Sequence, residues 1–158
     1  MHPLPDIKAV ALDIDGVLTD GSFLWDAHGS EQKRFHFRDV MGISRASKRG
    51  VRFALISGER NGIVDRVASK FCIADVHQGC SDKAAALLAF SEKSGIPLHE
   101  IAFMGDDIND LDALRIVGLP AAPADAHGKV LEVARFISKK NGGFGAVRDL
   151  LDHLGLVP

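Results

Sequence analysis

Four short stretches of this sequence carry residue types that suit the transfer of a phosphoryl group. They are Asp13 with Asp15, Ser57 with Gly58, Lys83, and Asp106 with Asp107 and Asp110. One carboxylate can attack phosphorus, and a second can protonate the leaving oxygen and later activate water. A hydroxyl, backbone N–H groups and a lysine can hold the phosphate oxygens. Several acids gathered at one point favour a hard cation such as Mg²⁺.

The elements around these residues predict an α/β fold with a doubly wound, mostly parallel sheet. Short apolar runs that read as buried strands alternate with segments of helical periodicity. The predicted strands are 8–14, 51–56, 73–76, 101–104, 118–121 and 136–137, and the predicted helices are 39–49, 61–71, 82–94 (capped by Ser81), 111–116, 127–133 and 146–154. Because the carboxyl ends of parallel strands share one edge, we expect the four stretches to converge there.

The first predicted strand ends in Asp13 and Asp15, and residues two apart in a strand point to the same face. Two like charges this close are unfavourable unless a divalent cation or a shared proton offsets them. Taken alone, the pair could instead be a polar Asp-Gly turn, and the other stretches could be a turn serine, a solvated lysine and helix-capping acids. Together and in this order, the four stretches favour a catalytic centre.

Residues 21–37 read as a β-hairpin in which aromatic side chains alternate with polar or less bulky ones. Phe23 and Trp25 precede a predicted turn at 26–29, and Phe35 and Phe37 follow it. An isolated hairpin is only marginally stable in water, so its apolar side must pack on another surface. That surface is either the rest of this chain or a partner chain, and we favour a partner.

Composition is that of one ordinary globular domain, since 46% of the 158 residues are hydrophobic and 25% are charged. A formal charge of −2 gives no reason to expect nucleic acid or a membrane as a partner. No run of about 18 apolar residues exists, and residues 1–6 are too short and polar for a signal peptide. Cys72 and Cys80 lack C-x-x-C spacing, so we expect reduced thiols in a cytoplasmic protein.

Four motifs resemble those of the haloacid dehalogenase-like phosphohydrolases, and the resemblance covers nearly the whole chain. They are D-I-D-G-V-L-T-D-G from Asp13, I-S-G from Ile56, the single Lys83, and G-D-D-I-N-D from Gly105. The resemblance implies that Asp13 is the nucleophile and that Asp15 is the general acid and base. The implied remaining roles are phosphate binding by Ser57, Gly58 and Lys83, Mg²⁺ binding by Asp13, the backbone carbonyl of Asp15 and Asp106, and support by Asp107 and Asp110.

The motifs leave no room for a large cap domain between them, so an isolated site would be open to water and would select substrates poorly. The chain resembles the uncapped 3-deoxy-octulosonate-8-phosphate phosphatases and their relatives of sialic-acid biosynthesis. That resemblance implies a homotetramer in which the hairpins form a shared barrel. It also implies that a neighbour's C-terminal segment covers the site. Residues 142–148, in the tail 141–158, match that G-G-x-G-A-V-R segment, although they could be only a Gly-rich connector.

Four residues bear on which phosphorylated 3-deoxy-2-ulosonic sugar acid is the substrate: Glu59, Arg60, Lys70 and Arg148. The guanidinium of Arg148 suits a carboxylate. Octulosonate phosphatases typically carry Arg at position 59 and Gly at position 40, where this chain has Glu59 and Val40. Because Glu59 can accept from sugar hydroxyls and Lys70 can meet the carboxylate, we slightly favour a nonulosonate 9-phosphate over 3-deoxy-D-manno-octulosonate 8-phosphate of lipopolysaccharide biosynthesis. Both residues could equally be solvated surface charges.

Two alternatives from other classes compete with a phosphatase. A phospho-acceptor signalling domain also places an aspartate on a parallel sheet, but it lacks the paired acids at the first strand with a later G-D-x-x-x-D. A non-catalytic regulatory or assembly domain is the other alternative, because similar modules occur fused to CMP-sugar synthetases. The complete set of acids and the lysine argues against it.

Overall fold

A six-stranded sheet runs through the computed structural model, which describes residues 6–158. The strands in chain order are β1 (Ala9–Leu12), β2 (Leu24–Trp25), β3 (Glu31–Gln32), β4 (Arg52–Ile56), β5 (Asp75–His77), β6 (Ile101–Met104), β7 (Leu119–Ala122) and β8 (Phe136–Ile137). The main sheet has the order β5-β4-β1-β6-β7-β8, and all its neighbours pair in parallel. This order confirms the predicted α/β fold.

Strand β1 lies at the centre because the chain crosses to β4 on one side and later to β6 on the other. Its four residues are completely buried, which explains their apolar character. A sheet whose order reverses beside its first strand opens a crevice at the carboxyl end of that strand. The topology therefore puts the segment after Leu12 at the natural ligand position.

Six helices cover the two faces of the sheet. They are α1 (Phe37–Lys48), α2 (Gly62–Phe71), α3 (Lys83–Ser94), α4 (Leu111–Ile116), α5 (Gly128–Val133) and α6 (Ala146–His153). Helices α1, α2 and α6 pack with Val10 and Leu12 on one face, and α3, α4 and α5 pack with Ala9 and Ala11 on the other. The alternation of side chains along β1 thus serves two separate cores.

Several predicted boundaries differ from the structure by one to a few residues, and local hydrogen bonds explain two of these differences. The fifth strand begins at Asp75 and not at Ile73, because the Ile73 amide closes helix α2 by donating to Ala68 O at 2.9 Å. The cap of α3 is Asp82 and not Ser81, since the Asp82 carboxylate accepts from the amide of Ala85 at 2.9 Å.

The hairpin between β1 and α1 exists but is shorter than predicted. Strands β2 and β3 pair antiparallel, with Trp25 opposite Glu31. The two later aromatic residues do not belong to it. Phe35 packs edge-on against Phe71 of α2, and Phe37 begins α1 after the cap at His36. The chain between β1 and β4 therefore adds a small hairpin and one helix, and no cap domain.

Among the described residues, no helix is long and apolar enough to cross a membrane. Residues 1–5, on which most of the prediction about a signal peptide rests, lie outside the described residues. Cys72 and Cys80 are both free thiols, as the sequence predicts.

Candidate active site

The sequence-predicted acids except the fully buried Asp110 line one pocket of about 220 Å³ at the carboxyl edge of the sheet, together with the predicted serine and lysine. Asp13 follows β1, Ser57 follows β4, and Asp106 follows β6 after a single glycine. Lys83 is the first residue of α3, the helix that follows β5. Asp15, Gly58, Glu59 and Asp107 also line this pocket. The expected convergence at the sheet edge is therefore confirmed.

Lys83 is the cation at the centre of the site, and its side chain is only 2% exposed. Its Nζ lies 3.0 Å from Oδ2 of Asp13 and donates to Oδ1 of Asp110 at 2.7 Å. Burial alone would lower the pKa of Lys83, but the charges of Asp13 and Asp110 outweigh it and raise the pKa. The lysine therefore carries a positive charge at neutral pH, although it sits at a helix N-terminus that disfavours cations.

Asp110 is completely buried and uses both carboxylate oxygens inside the protein. One oxygen meets Lys83, and the other accepts from the amides of Asp106 at 2.9 Å and Asp107 at 3.2 Å. Gly105 allows this close approach, because a Cβ there would lie 2.6 Å from the Asp110 side chain. Asp110 thus holds the Asp106–Asp107 turn in place, which fits the supporting role predicted for it.

Asp13 and Asp106 hold their protons more tightly than ordinary aspartates. Burial and then the charge of Asp110 raise the pKa of Asp13 to about 7, against the opposing effect of Lys83. Burial and then the charges of Asp13, Asp110 and Asp107 raise the pKa of Asp106 to about 8. Lys83 supplies one positive charge for this group of acids, so the site has an excess of negative charge when all of them ionise.

This excess of carboxylate oxygen fits a Mg²⁺ ion. Oxygens of Asp13, Asp106 and Asp110 lie within 4.8 Å of one another. Within the described part of the chain, no group donates a hydrogen bond to the Asp106 carboxylate, so its oxygens are free to bind a cation. Gly16 (φ +83°) packs against that carboxylate, and a Cβ there would lie 1.8 Å from Oδ2 of Asp106. Hard oxygen donors around an unbalanced negative charge are what Mg²⁺ requires.

Asp15 lines the pocket from a turn after β1, so the alternation of side chains along a strand does not explain its position. Strand β1 ends at Leu12, and Asp15 lies in a turn in which the amides of Val17, Leu18 and Thr19 all point to Ile14 O. The expectation of two acids on one strand face is therefore corrected, although both acids line the same pocket. The Oδ1 atom of Asp15 contacts Nζ of Lys33, a residue that the sequence analysis missed. Segment 21–37 has four charged residues, so nothing in the sequence distinguishes Lys33 from the others.

Ser57 and Gly58 line the pocket at the end of β4. Ser57 is 1% exposed, and its amide donates to His77 O at 2.9 Å, which ties it to the end of β5. The amide of Glu59 donates to the Ser57 hydroxyl oxygen at 3.1 Å, so the loop turns tightly here. The hydroxyl hydrogen stays free to donate to a phosphate oxygen.

Three of the four predicted specificity residues lie outside the pocket of their own chain. Arg60 donates to Gln78 O at 3.3 Å, and Arg148 pairs with Asp152 at 2.8 Å. Lys70 lines a separate, larger groove between the hairpin and α2. Only Glu59 lies in the pocket itself.

The glycine-rich segment 142–148 packs against its own chain. Gly143 donates to Val17 O at 3.0 Å, and a Cβ on Gly142 would lie 1.8 Å from Gly16 O. The amide of Arg148 donates at 2.8 Å to Asp39, whose burial raises its pKa. This packing supports the loop that carries Asp15, and the expectation that the segment also covers a neighbour's site stays a prediction.

A family model for haloacid dehalogenase-like hydrolases matches residues 59–151. The chain belongs to the haloacid dehalogenase-like hydrolases. The 3-deoxy-D-manno-octulosonate 8-phosphate phosphatase of Escherichia coli (strain B / BL21-DE3) is 36% identical over 154 residues, which are 98% of this chain and 82% of the relative. The Yersinia pestis enzyme of that name is 33% identical over 147 residues, 93% of this chain and 79% of the relative.

Solved structures agree with these sequence matches. The 3-deoxy-D-manno-octulosonate 8-phosphate phosphatase of Moraxella catarrhalis, crystallised with magnesium, phosphate and KDO, gives a TM-score of 0.93 at 34% identity, covering 98% of this chain and 89% of that one. The cobalt-bound phosphatase of Haemophilus influenzae gives 0.91 at 34% identity, covering 96% of this chain and 88% of that one. The chain is thus similar in fold and sequence to metal-binding phosphatases of one sugar acid.

Proposed function

We propose that this protein is a Mg²⁺-dependent phosphatase that hydrolyses 3-deoxy-D-manno-octulosonate 8-phosphate. The observation that carries the proposal is the set of Asp13, Lys83 and Asp106 at one sheet edge, in a fold shared with a phosphatase crystallised with magnesium, phosphate and KDO. A phospho-acceptor domain or a non-catalytic module would not explain this agreement between site and relatives.

Asp13 is the nucleophile of the proposed reaction, and Asp15 handles the protons. An oxygen of Asp13 forms a bond to phosphorus while the bond between phosphorus and the sugar oxygen breaks. Asp15 gives its proton to that oxygen, so the sugar acid leaves as a neutral alcohol. Water then attacks phosphorus, Asp15 takes a proton from it, and the Asp13–phosphorus bond breaks to release phosphate. Asp15 ends the cycle protonated and Asp13 ionised, as both began.

The remaining site residues have three roles in this proposal: they bind the phosphate, bind the metal ion or support Asp106. Lys83, the Ser57 hydroxyl and the backbone N–H of Gly58 would bind phosphate oxygens, and all three residues line the pocket. Asp13, Asp106 and the backbone carbonyl of Asp15 would hold Mg²⁺, which neutralises charge on the phosphoryl group. Asp110 and Asp107 keep Asp106 in position.

A nonulosonate 9-phosphate is the second candidate substrate, because Glu59 lies in the pocket where it can accept from sugar hydroxyls. The slight preference for it from the sequence stays a prediction, and the named relatives support the eight-carbon sugar acid. The test is to compare kcat/KM for the two phosphorylated sugar acids with Mg²⁺ and with EDTA. Faster hydrolysis of the 9-phosphate would overturn the proposed substrate, and no Mg²⁺-dependent phosphate release from either would overturn the proposed function.

We further propose that residues 1–158 form one hydrolase domain that assembles as a homotetramer in the cytoplasm. The support for assembly is the exposed apolar surface of the hairpin, at Phe23, Leu24 and Trp25. The groove beside it, about 1010 Å³ in volume, is lined by Phe35, Phe37 and other apolar residues. Two free thiols support a reducing compartment.

A further inference from the structure

Lys33 is a buried cation that the proposed mechanism does not use. It follows strand β3 of the hairpin, and its side chain is only 2% exposed. Its Nζ contacts Oδ1 of Asp15 and lies 3.5 Å from Oε1 of Glu31. The ring of Phe23 lies 5.0 Å from the same nitrogen, within the range of a cation–π interaction.

A second residue of the hairpin, Glu31, helps to orient the side chain of Lys33. Glu31 lies opposite Trp25 in the antiparallel pair, and the indole Nε1 of Trp25 donates to Oε2 of Glu31 at 2.9 Å. The Oε1 atom of Glu31 is buried and makes no hydrogen bond within the described residues, so the ion pair with Lys33 is what offsets its burial. Lys33 is therefore held between the hairpin's own acid and the acid of the active site.

The contact leaves one oxygen of Asp15 free for chemistry. Oδ1 of Asp15 contacts Lys33 and lies 3.5 Å from the hydroxyl oxygen of Thr19. No group in the described range 6–158 donates a hydrogen bond to Oδ2. A carboxyl group that transfers a proton needs one oxygen for that proton and can accept a hydrogen bond on the other. Lys33 on Oδ1 thus directs Oδ2 to the proton transfer.

We propose that Lys33 is a positioning residue that orients Asp15 toward the oxygen of the leaving group. The inference rests on the proposed function, because it assigns a task within that reaction. A positioning role for Lys33 and a purely structural role predict different effects on substrates with different leaving groups. A sugar alkoxide needs a proton to leave, whereas 4-nitrophenolate is a good leaving group that departs without one. A misplaced Asp15 should therefore slow phosphoryl transfer from the sugar ester and spare phosphoryl transfer from the aryl ester. The later attack of water, in which Asp15 takes a proton, is common to both esters, so the first step is measured by itself.

The experiment compares the holoenzyme with the variants Lys33→Met and Lys33→Arg. The methionine keeps an apolar stem over Phe23 but removes the charge, and the arginine keeps the charge. General acid catalysis typically contributes about 10²–10⁴ in rate, so partial loss of it in Lys33→Met should lower the single-turnover rate of sugar release from 3-deoxy-D-manno-octulosonate 8-phosphate about thirtyfold or more. The single-turnover rate of 4-nitrophenolate release should fall less than about threefold, and the binding of both esters should change little.

Lys33→Arg should keep most of the activity on both esters. Trp25→Phe removes the hydrogen bond to Glu31 and leaves Lys33 unchanged. It should show the same selectivity for the two esters with a smaller loss. This variant replaces Lys33→Met in the test if Lys33→Met does not fold. Lys93→Met is the matched control, because Lys93 pairs with Asp75 far from the pocket, and both activities should be retained.

Equal losses in the two single-turnover rates, or no loss in a folded Lys33→Met and Trp25→Phe, would overturn the inference and leave the proposed function standing. Wild-type protein that hydrolyses neither ester would overturn the proposed function and the inference with it. Selective loss on the sugar ester would support both.

Discussion

The active-site edge and the hairpin differ in how far this chain buries their key side chains. At the edge, Lys83 pairs with Asp13 and Asp110, and all three are nearly or completely buried within one chain. On the hairpin, Phe23 is 51% exposed and Trp25 64% exposed. The protein core therefore surrounds the charged groups of the active-site edge. The hairpin, in contrast, exposes apolar surface that the described chain does not cover.

This difference separates what a single chain can do from what an assembly adds. The chemistry needs only residues that the sheet edge brings together. The hairpin region reaches that chemistry through Phe23, which lines the pocket, and through the contact between Lys33 and Asp15. We therefore expect changes at the edge to abolish catalysis, and changes on the hairpin surface to alter assembly first and activity second.

The substitution Asp13→Asn, at the active-site edge, should have the largest effect on catalysis. An amide cannot form the aspartyl phosphate, so kcat with 4-nitrophenyl phosphate should fall by at least about a thousandfold, roughly 4 kcal/mol of barrier. Steady-state assay with Mg²⁺ measures this, with Asp112→Asn, an exposed acid, as the control. Activity within about tenfold of wild type would refute the nucleophile assignment.

Lys83→Met tests whether the edge is held together by charge. The change leaves Asp13 and Asp110 buried without their cation, and breaking a buried ion pair typically costs about 3–5 kcal/mol. Urea unfolding with EDTA measures the free energy of unfolding. Lys93→Met removes a cation whose side chain is 66% exposed and should cost about 0–1 kcal/mol. A Lys83→Met protein as stable as the control would contradict the electrostatic account of the site.

Replacing the exposed hairpin aromatics tests whether that surface is an interface. The double variant Phe23→Ser, Trp25→Ser removes most of the apolar side-chain surface there and should convert tetramers to smaller species. Light scattering after gel filtration gives the mass of each species. Leu88→Ser, which changes an exposed leucine on α3, should keep the wild-type mass. Wild-type protein that runs as a monomer would show that the surface is not used for assembly.

The last prediction concerns the pH dependence of stability in metal-free protein. The folded-state pKa values of Asp13 and Asp106 are raised from 3.8 to about 7 and about 8. The folded state therefore binds more protons than the unfolded state between pH 3.8 and about 8, and stability falls as pH rises through this window. Thermal melts in EDTA should show this fall, and Asp106→Asn should flatten it.

Mg²⁺ should reverse the trend, because its ligands must be deprotonated. At a hundred times its Kd the ion should add about 2.7 kcal/mol at pH 8, and much less at pH 5. A metal-free protein whose melting temperature rises steadily from pH 4 to pH 8 would contradict the raised pKa values.

Much of the fold and site could be predicted from local sequence. Apolar runs that end in acids give parallel strands with polar carboxyl ends, and β1 and β6 show this pattern directly. Asn61 caps α2 as its side-chain type predicts, accepting from the amides of Ile63 and Val64. These features depend on residue type and spacing, which the sequence states in full.

Other features depended on contacts between residues far apart in the chain. Lys33 meets Asp15 only because the hairpin folds back over the turn after β1. Arg148 and the glycines at 142 and 143 contact residues far away in their own chain. Asp39 accepts from the Arg148 amide, and the 16–20 loop packs against the two glycines.

The sequence by itself determined the chemical groups of the site and the sheet edge where they meet. Tertiary structure alone decided which cation holds which acid, because side-chain pairing follows distance in space, and a lysine's partner cannot be read from its neighbours in the chain.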